Sequence, residues 1–245
     1  MKEIGIIQKI RREIKRPFQQ FRNWFLWELL GYHDIVSLIQ RNATTLILHQ
    51  KTFLNFKNIY QGQNVVIVAC GPTAKEYKRI DNAIHIGVNR AFKIENINLD
   101  YLFIQDYGVK SYIKEANRYK PQNCTKFYGF LNSAQVIPES DVIEANALRY
   151  RTDHDPMYKR HKSKFSLFID CEPLGDFCSV VFSAMQFALW TNPKTIYLVG
   201  CDCSEGYFDG QTSNPLSHLI APWMLLYSSR LGIPLMRFYR GGIFV

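Results

Sequence analysis

"NVVIVACGPTAKEY", residues 64–77, sets an apolar run directly against a glycine-marked turn and a polar, helix-compatible segment. A short continuous run of Val and Ile is what a strand buried on both faces requires. Gly71-Pro72-Thr73 stops that run, and residues 73–79 read as a helix or helical turn. A bare turn between a buried strand and a helix has two uses. It can simply reverse the chain, or it can admit a ligand close to the backbone.

The same grammar recurs along the chain. Residues 83–88 read as a second strand, 101–105 as a third, 126–128 as a short fourth, and 195–199 and 233–238 as two more. Helical patterns fall at 108–119, from Gly175-Asp176-Phe177-Cys178-Ser179 to Trp190, and at 218–231, where Gly232 ends the run. Strands alternating with helices imply an α/β fold with an open, mostly parallel sheet and helices on both faces. In such sheets ligands bind beyond the carboxyl ends of the strands.

Those ends carry small or polar residues. The first strand ends in Gly71-Pro72-Thr73, the second in Asn89-Arg90, the third in Asp106-Tyr107, and the strand at 195–199 in Gly200-Cys201-Asp202. Gly71 lets backbone approach a ligand, while Thr73 can cap the next helix and offer a hydroxyl and amides to a phosphate. Asn89 can hydrogen-bond a sugar or base, and the helix start at Gly175–Ser179 offers free amides. Each has a plain alternative: a turn glycine, a left-handed Asn, a capping Asp. Their recurrence at successive strand ends favours a nucleotide-phosphate site. Neither GxGxxG nor GxxxxGK[ST] is present, so neither a dinucleotide fingerprint nor a Walker loop is indicated.

Composition sets the class. The 245 residues are 47% hydrophobic and 21% charged, a globular balance, and no window holds the ~18 apolar residues of a membrane span. No signal peptide is read at the basic N-terminus. The six cysteines form no paired CxxC framework, and Cys201-Asp202-Cys203 lacks a second ligand cluster for zinc, so buried free thiols in a reducing cytoplasm are expected. The net charge of +9 is uneven, with seven basic residues against two acidic ones in residues 1–23. There Ile7, Ile10, Ile14, Phe18, Phe21 and Phe25 recur at three- and four-residue steps, although Pro17 would kink one continuous helix. A basic amphipathic segment over residues 1–60, with another helix at 34–53, suits either an anionic membrane surface or packing on the domain. No nucleic-acid recognition motif accompanies the charge, so nucleic acid is not an expected partner. Residues 61–245 then form the catalytic domain. Residues 131–174, polar and irregular with a basic cluster from Arg149 to Lys164, read as a lid insertion.

"VACGPTAKEY", "IGVNRAF", "DYLFIQDY", "GDFCSVVFSAMQFAL", "KTIYLVGCD" and "FYRGGIF" occur in an order that resembles a family of bacterial and archaeal Rossmann-like proteins. That family includes archaeal 6-hydroxymethylpterin diphosphokinases and flagellin-modifying nonulosonate transferases. The chain is also similar to the bacterial sialyltransferases that decorate lipooligosaccharide. The resemblance spans about residues 62–245. It implies that Gly71, Pro72 and Thr73 line a CMP phosphate and ribose site, with Asn89 and Ser179 also at the nucleotide, and the strand-end reading adds Arg90, Gly200 and Asp202 as nucleotide-binding candidates. It further implies that the Tyr207 hydroxyl meets the leaving phosphate and that His218 is the general base, and Asp106 at the end of the third strand is a further catalytic candidate. The chain departs from the sialyltransferase pattern at Cys70 and Asp106, where that pattern has Asn, and near Ser204, where it has a tyrosine.

The expected function is therefore metal-independent transfer of a nonulosonic acid from a CMP-sugar donor to a cell-surface or lipid-linked glycan acceptor. No cofactor is expected, and the location would be the cytoplasm, peripheral at the inner face of the membrane. Two alternatives differ in class. One is Mg²⁺-dependent pyrophosphoryl transfer from ATP to a pterin-like alcohol, with Asp106 and Asp202 as ligands. The other is a non-catalytic nucleotide-sugar-binding subunit. Self-association into a homo-oligomer is left open.

Overall fold

A computed structural model describes residues 45–105, 110–119, 123–130, 139–153, 165–175, 179–202, 206–210, 235–239 and 242–244. The helical readings within residues 1–44 and over 218–231, and the candidates Asp106 and His218, lie outside the described residues.

The described elements are helix α1 (Leu46–Phe53), strands β1 (Asn64–Val68), β2 (Ala83–Val88) and β3 (Tyr101–Ile104), helix α2 (Lys110–Arg118) and strand β4 (Thr125–Phe130). Helix α3 (Glu139–Glu144), strands β5 (Leu148–Asp153) and β6 (Leu174–Gly175), helix α4 (Val180–Trp190), and strands β7 (Thr195–Val199), β8 (Leu235–Tyr239) and β9 (Gly242–Phe244) follow. Single 3₁₀ turns at Pro72–Glu76 and Asn89–Lys93 follow β1 and β2. The strands lie in the order β6-β5-β4-β3-β2-β1-β7-β8-β9. Every neighbouring pair is parallel except β8 and β9. This is the expected Rossmann-like α/β sheet.

Alternation along β1 divides the core into two layers. Val65 and Ile67 join α4, while Val66 and Val68 join Ile113 and Ala116 of α2 and Val142 of α3. Both layers exclude water, which is why the strand reads as an unbroken apolar run. All eleven residues of α4 are buried. Its polar Gln186 has each side-chain atom occupied. The Gln186 Oε1 accepts from the amides of Ser166 and Gly175, and Nε2 donates to the carbonyls of Gly175 and Phe182, at 2.7–3.0 Å. A buried amide so satisfied fixes β6 to the helix rather than leaving a polar penalty.

One expectation changes here, and one choice the sequence left open is met for part of its length. Residues 131–174 contain α3 and two strands of the sheet. Arg149 and Arg151, read as part of a basic lid, belong to β5, where Tyr150 and Thr152 between them are buried. Residues 45–60 also pack into the domain. Phe53 is fully buried, the Trp190 indole N–H donates to its carbonyl at 2.9 Å, and Thr45–Val245 clusters as one unit.

Candidate active site at the strand ends

Strand order reverses at β1, whose neighbours are β2 on one side and β7 on the other. A crevice at the carboxyl end of such a reversal is where open α/β sheets bind ligands. Gly71 and Gly200 extend the β1–β7 contact past the strands, with the Gly71 amide donating to the Gly200 carbonyl at 2.8 Å. Thr73 then donates twice to one carboxylate. Its amide reaches Asp202 Oδ2 at 3.0 Å and its hydroxyl reaches Asp202 Oδ1 at 2.5 Å.

This geometry accounts for Gly71. Its φ of −70° is open to any residue. A Cβ there, however, would lie 2.3 Å from Asp202 Oδ2 and 2.5 Å from the Gly200 carbonyl oxygen. The group that comes close to the bare turn is thus the Asp202 carboxylate. Gly200 is constrained differently, with a φ of +66° and the Ala69 carbonyl oxygen 2.6 Å from where its Cβ would stand. Thr73 is not the cap expected of it. Gly71 holds the N-cap position, without a side-chain cap bond, and the Thr73 hydroxyl turns to Asp202.

A second group forms beside the first. The Phe208 amide donates to the Cys70 carbonyl at 2.8 Å, anchoring residues 206–210 on the end of β1. That brings the Tyr207 ring under the Arg90 guanidinium, 4.8 Å from its centroid, while Arg90 Nη1 pairs with Asp209 Oδ2 at 2.8 Å. A stacked, ion-paired guanidinium is held in one plane.

Asn89 occupies the left-handed region, at φ +45°, and so do Asn58, Asn82, Asn96, Asn123, Asn146 and Asn192. Asn tolerates that conformation better than most residues. Its Oδ1 accepts from the Gln105 amide at 3.1 Å, and the Gln105 side chain in turn accepts from the Ser183 hydroxyl at 3.0 Å. Asn89 thereby links the end of β2 to the end of β3 and the early part of α4. Ser179 stands one turn before Ser183, at the N-cap of α4, without a side-chain cap bond.

Eight of the expected nucleotide contacts are therefore described. Gly71, Thr73, Gly200 and Asp202 meet directly, with Pro72 opening the 3₁₀ turn between Gly71 and Thr73. Arg90 meets Tyr207, Asn89 stands at the end of β2, and Ser179 is the N-cap of α4. Asp209 and Gln105 were not singled out in the sequence. The apolar Phe208 anchor beside Asp209 and the polar residue closing β3 were the signals available. Cys70, which stands where the sialyltransferase pattern has Asn, is buried and donates its thiol to the Val88 carbonyl at 3.3 Å. Burial pushes this thiol up to about 12, so it serves packing as a neutral group. Among the described residues no cluster of three or more His, Cys, Asp or Glu side chains could hold a metal ion.

No family model matches the chain, and no curated protein matches it. Among solved structures it is similar to a thiamine pyrophosphokinase from Bacillus subtilis, at a TM-score of 0.39 and 14% identity. That alignment covers 72% of this chain and 60% of the other. It is also similar to the MAf glycosyltransferase from Magnetospirillum magneticum AMB-1, at a TM-score of 0.39 and 16% identity, over 70% of this chain and 30% of that one. The chain thus spans less than two thirds of either relative, and neither likeness is close enough to assign a function.

Proposed function

We propose that this chain is a nucleotide-dependent transferase that moves a nonulosonic acid from a CMP-activated donor to a glycan acceptor. The observation that carries this reading is the meeting of the β1, β2 and β7 ends with residues 206–210 at the reversal of strand order. In the reaction, the acceptor hydroxyl oxygen bonds the anomeric carbon as the bond from that carbon to the CMP phosphate oxygen breaks. CMP leaves with the electron pair, and a base takes the hydroxyl proton. His218 is proposed as that base, because an imidazole exchanges protons near neutral pH. Arg90 and the Tyr207 hydroxyl are proposed to stabilise the departing phosphate. Gly71 and Thr73 shape the wall against which the nucleotide lies, and Asn89 and Ser179 extend it. Asp106 is proposed to stand at the acceptor side.

One observation bears on the competing pyrophosphokinase reading, in which Asp202 would bind Mg²⁺. Thr73 donates to both its oxygens and ties the carboxylate into the wall, and each oxygen keeps a second lone pair, so the EDTA arm of the test makes the choice. The test is CMP release from a CMP-nonulosonate donor in the presence of acceptor and EDTA. Turnover in EDTA, reduced about 100-fold or more by His218→Ala, is the expected result. Donor binding without turnover would instead identify a non-catalytic binding subunit, and activity seen only with ATP and Mg²⁺ would reverse the choice.

A further inference from the structure

Most of the large apolar side chains exposed among the described residues lie in two segments of the chain. Seven are exposed among the described residues, and six of them, Leu46, Ile47, Leu54, Ile59, Leu167 and Phe168, belong to two neighbouring segments. Helix α1 buries His49, Thr52 and Phe53 on one face, and Thr45 just before it is buried as well. Helical periodicity sets Ile47, Lys51 and Leu54 on the opposite face, with Ile47 and Leu54 two turns apart. Ile47 is 75% exposed and Leu54 51%. The loop carrying Leu167 and Phe168 is tied to the same helix, because the His49 Nδ1–H donates to the Ile169 carbonyl at 2.8 Å.

The charge around these side chains is mainly positive. Residues 35–75 contain no Asp or Glu, and Lys51 and Lys57 are exposed within them. Arg149 and Arg151 lie on β5, which α1 holds through the Thr52 hydroxyl and His49 Nε2, at 2.8 Å each. The acidic groups nearby are Asp170 and Glu172, and Glu172 accepts from the Ser166 hydroxyl at 3.0 Å. Ile47 and Leu54 flanking Lys51 on the outer face of α1, with Phe168 exposed on the tethered loop, match an interfacial surface rather than a ligand groove.

We propose that this face docks the folded domain on an anionic lipid bilayer. Ile47, Leu54 and Phe168 enter the headgroup–acyl boundary, and Lys51 and Lys57 meet lipid phosphates. Because α1 is bonded to β5 and to α4, the bilayer would be held by the catalytic domain itself. The proposal is independent of the donor chemistry.

The test is co-sedimentation of the full chain with vesicles of phosphatidylcholine, alone or with phosphatidylglycerol at about three to one. The wild type is expected to partition onto the anionic vesicles at least tenfold better than onto neutral ones. Ile47→Ser/Leu54→Ser and Lys51→Glu/Lys57→Glu are each expected to weaken that partition about tenfold or more. All four positions are exposed, Lys57 also lies 4.8 Å over the Trp190 ring, and so Lys51→Glu alone repeats the charge test, with an unchanged melting temperature verifying the fold of each variant. Equal partition of wild type and both variants would overturn the proposal, as would equal binding to neutral and anionic vesicles. A wild-type dimer that the Ile47→Ser/Leu54→Ser variant disperses would overturn it in favour of a second copy of the chain.

Discussion

Thr73 holds Asp202 through both carboxylate oxygens, from its amide at 3.0 Å and from its hydroxyl at 2.5 Å. The two residues lie 129 positions apart, one just after β1 and one just after β7. Their pairing closes the two strand ends on each other at the point where strand order reverses. It also explains why the turn between them contains Gly71.

Removing the carboxylate should loosen this edge. Asp202→Ala leaves the Thr73 amide and hydroxyl without their charged acceptor, at a cost of about 2 kcal/mol. For a chain of this size that is a fall in melting temperature of about 4–8 °C. Thr73→Val, which keeps the amide, should cost about half as much. A double-mutant cycle should return a coupling of about 1 kcal/mol or more, and strict additivity would show the pairing to be energetically idle.

Gly71→Ala should destabilise by about 1–3 kcal/mol, since the new Cβ meets both Asp202 Oδ2 and the Gly200 carbonyl. The change should also weaken nucleotide binding, because relieving the clash displaces the wall of the site. Chemical denaturation measures the first effect and ligand titration the second. An alanine variant as stable as the wild type would mean that the strand ends separate easily.

Phe187 is the hub of the aromatic layer under α4, with ring centroids 5.0–6.2 Å from Phe53, Phe56, Tyr101, Phe103 and Phe127. Phe187→Ala should cost about 3–5 kcal/mol, and Phe187→Leu less than half of that, by urea unfolding. Equal losses would show that the ring contacts, and not the volume they fill, carry the stability.

Acid should weaken the fold through His49. Burial lowers its pKa from 6.5 to about 4, against the pull of the Ile169 carbonyl and with help from Arg151. Between those values the unfolded chain takes up a proton that the folded chain refuses. The His49 contribution is therefore whole above about pH 6.5 and is lost as pH falls towards 4, by about 2 kcal/mol at pH 5. His85, also lowered to about 4 by burial and the Arg79 guanidinium, acts in the same direction. Urea midpoints measured from about pH 7.5 to 5 should fall less steeply for His49→Gln than for the wild type. Parallel curves would contradict the assignment.

What the sequence disclosed follows from how each element is buried. β1, β2 and β7 are covered on both faces, so they appear as apolar runs with sharp ends. β5 alternates buried Tyr150 and Thr152 with Arg149 and Arg151, and in a basic, polar stretch that alternation resembles a loop. The glycine at 71 signalled a close approach, but not what approaches. Pairings such as Arg90 with Asp209, 119 positions away, or Gln105 with Ser183, 78 positions away, are set by the sheet order and leave no local trace. Asn89 combined both readings, as a left-handed residue and as a side chain on the site edge.

The central claim is that the β1–β7 edge binds a nucleotide without a metal. Calorimetric titration of the full chain with CMP in EDTA tests it most directly. The account predicts saturable binding in EDTA, weakened about tenfold or more by Gly71→Ala and by Asp202→Ala. No heat with CMP, together with binding of ATP that requires Mg²⁺, would contradict it.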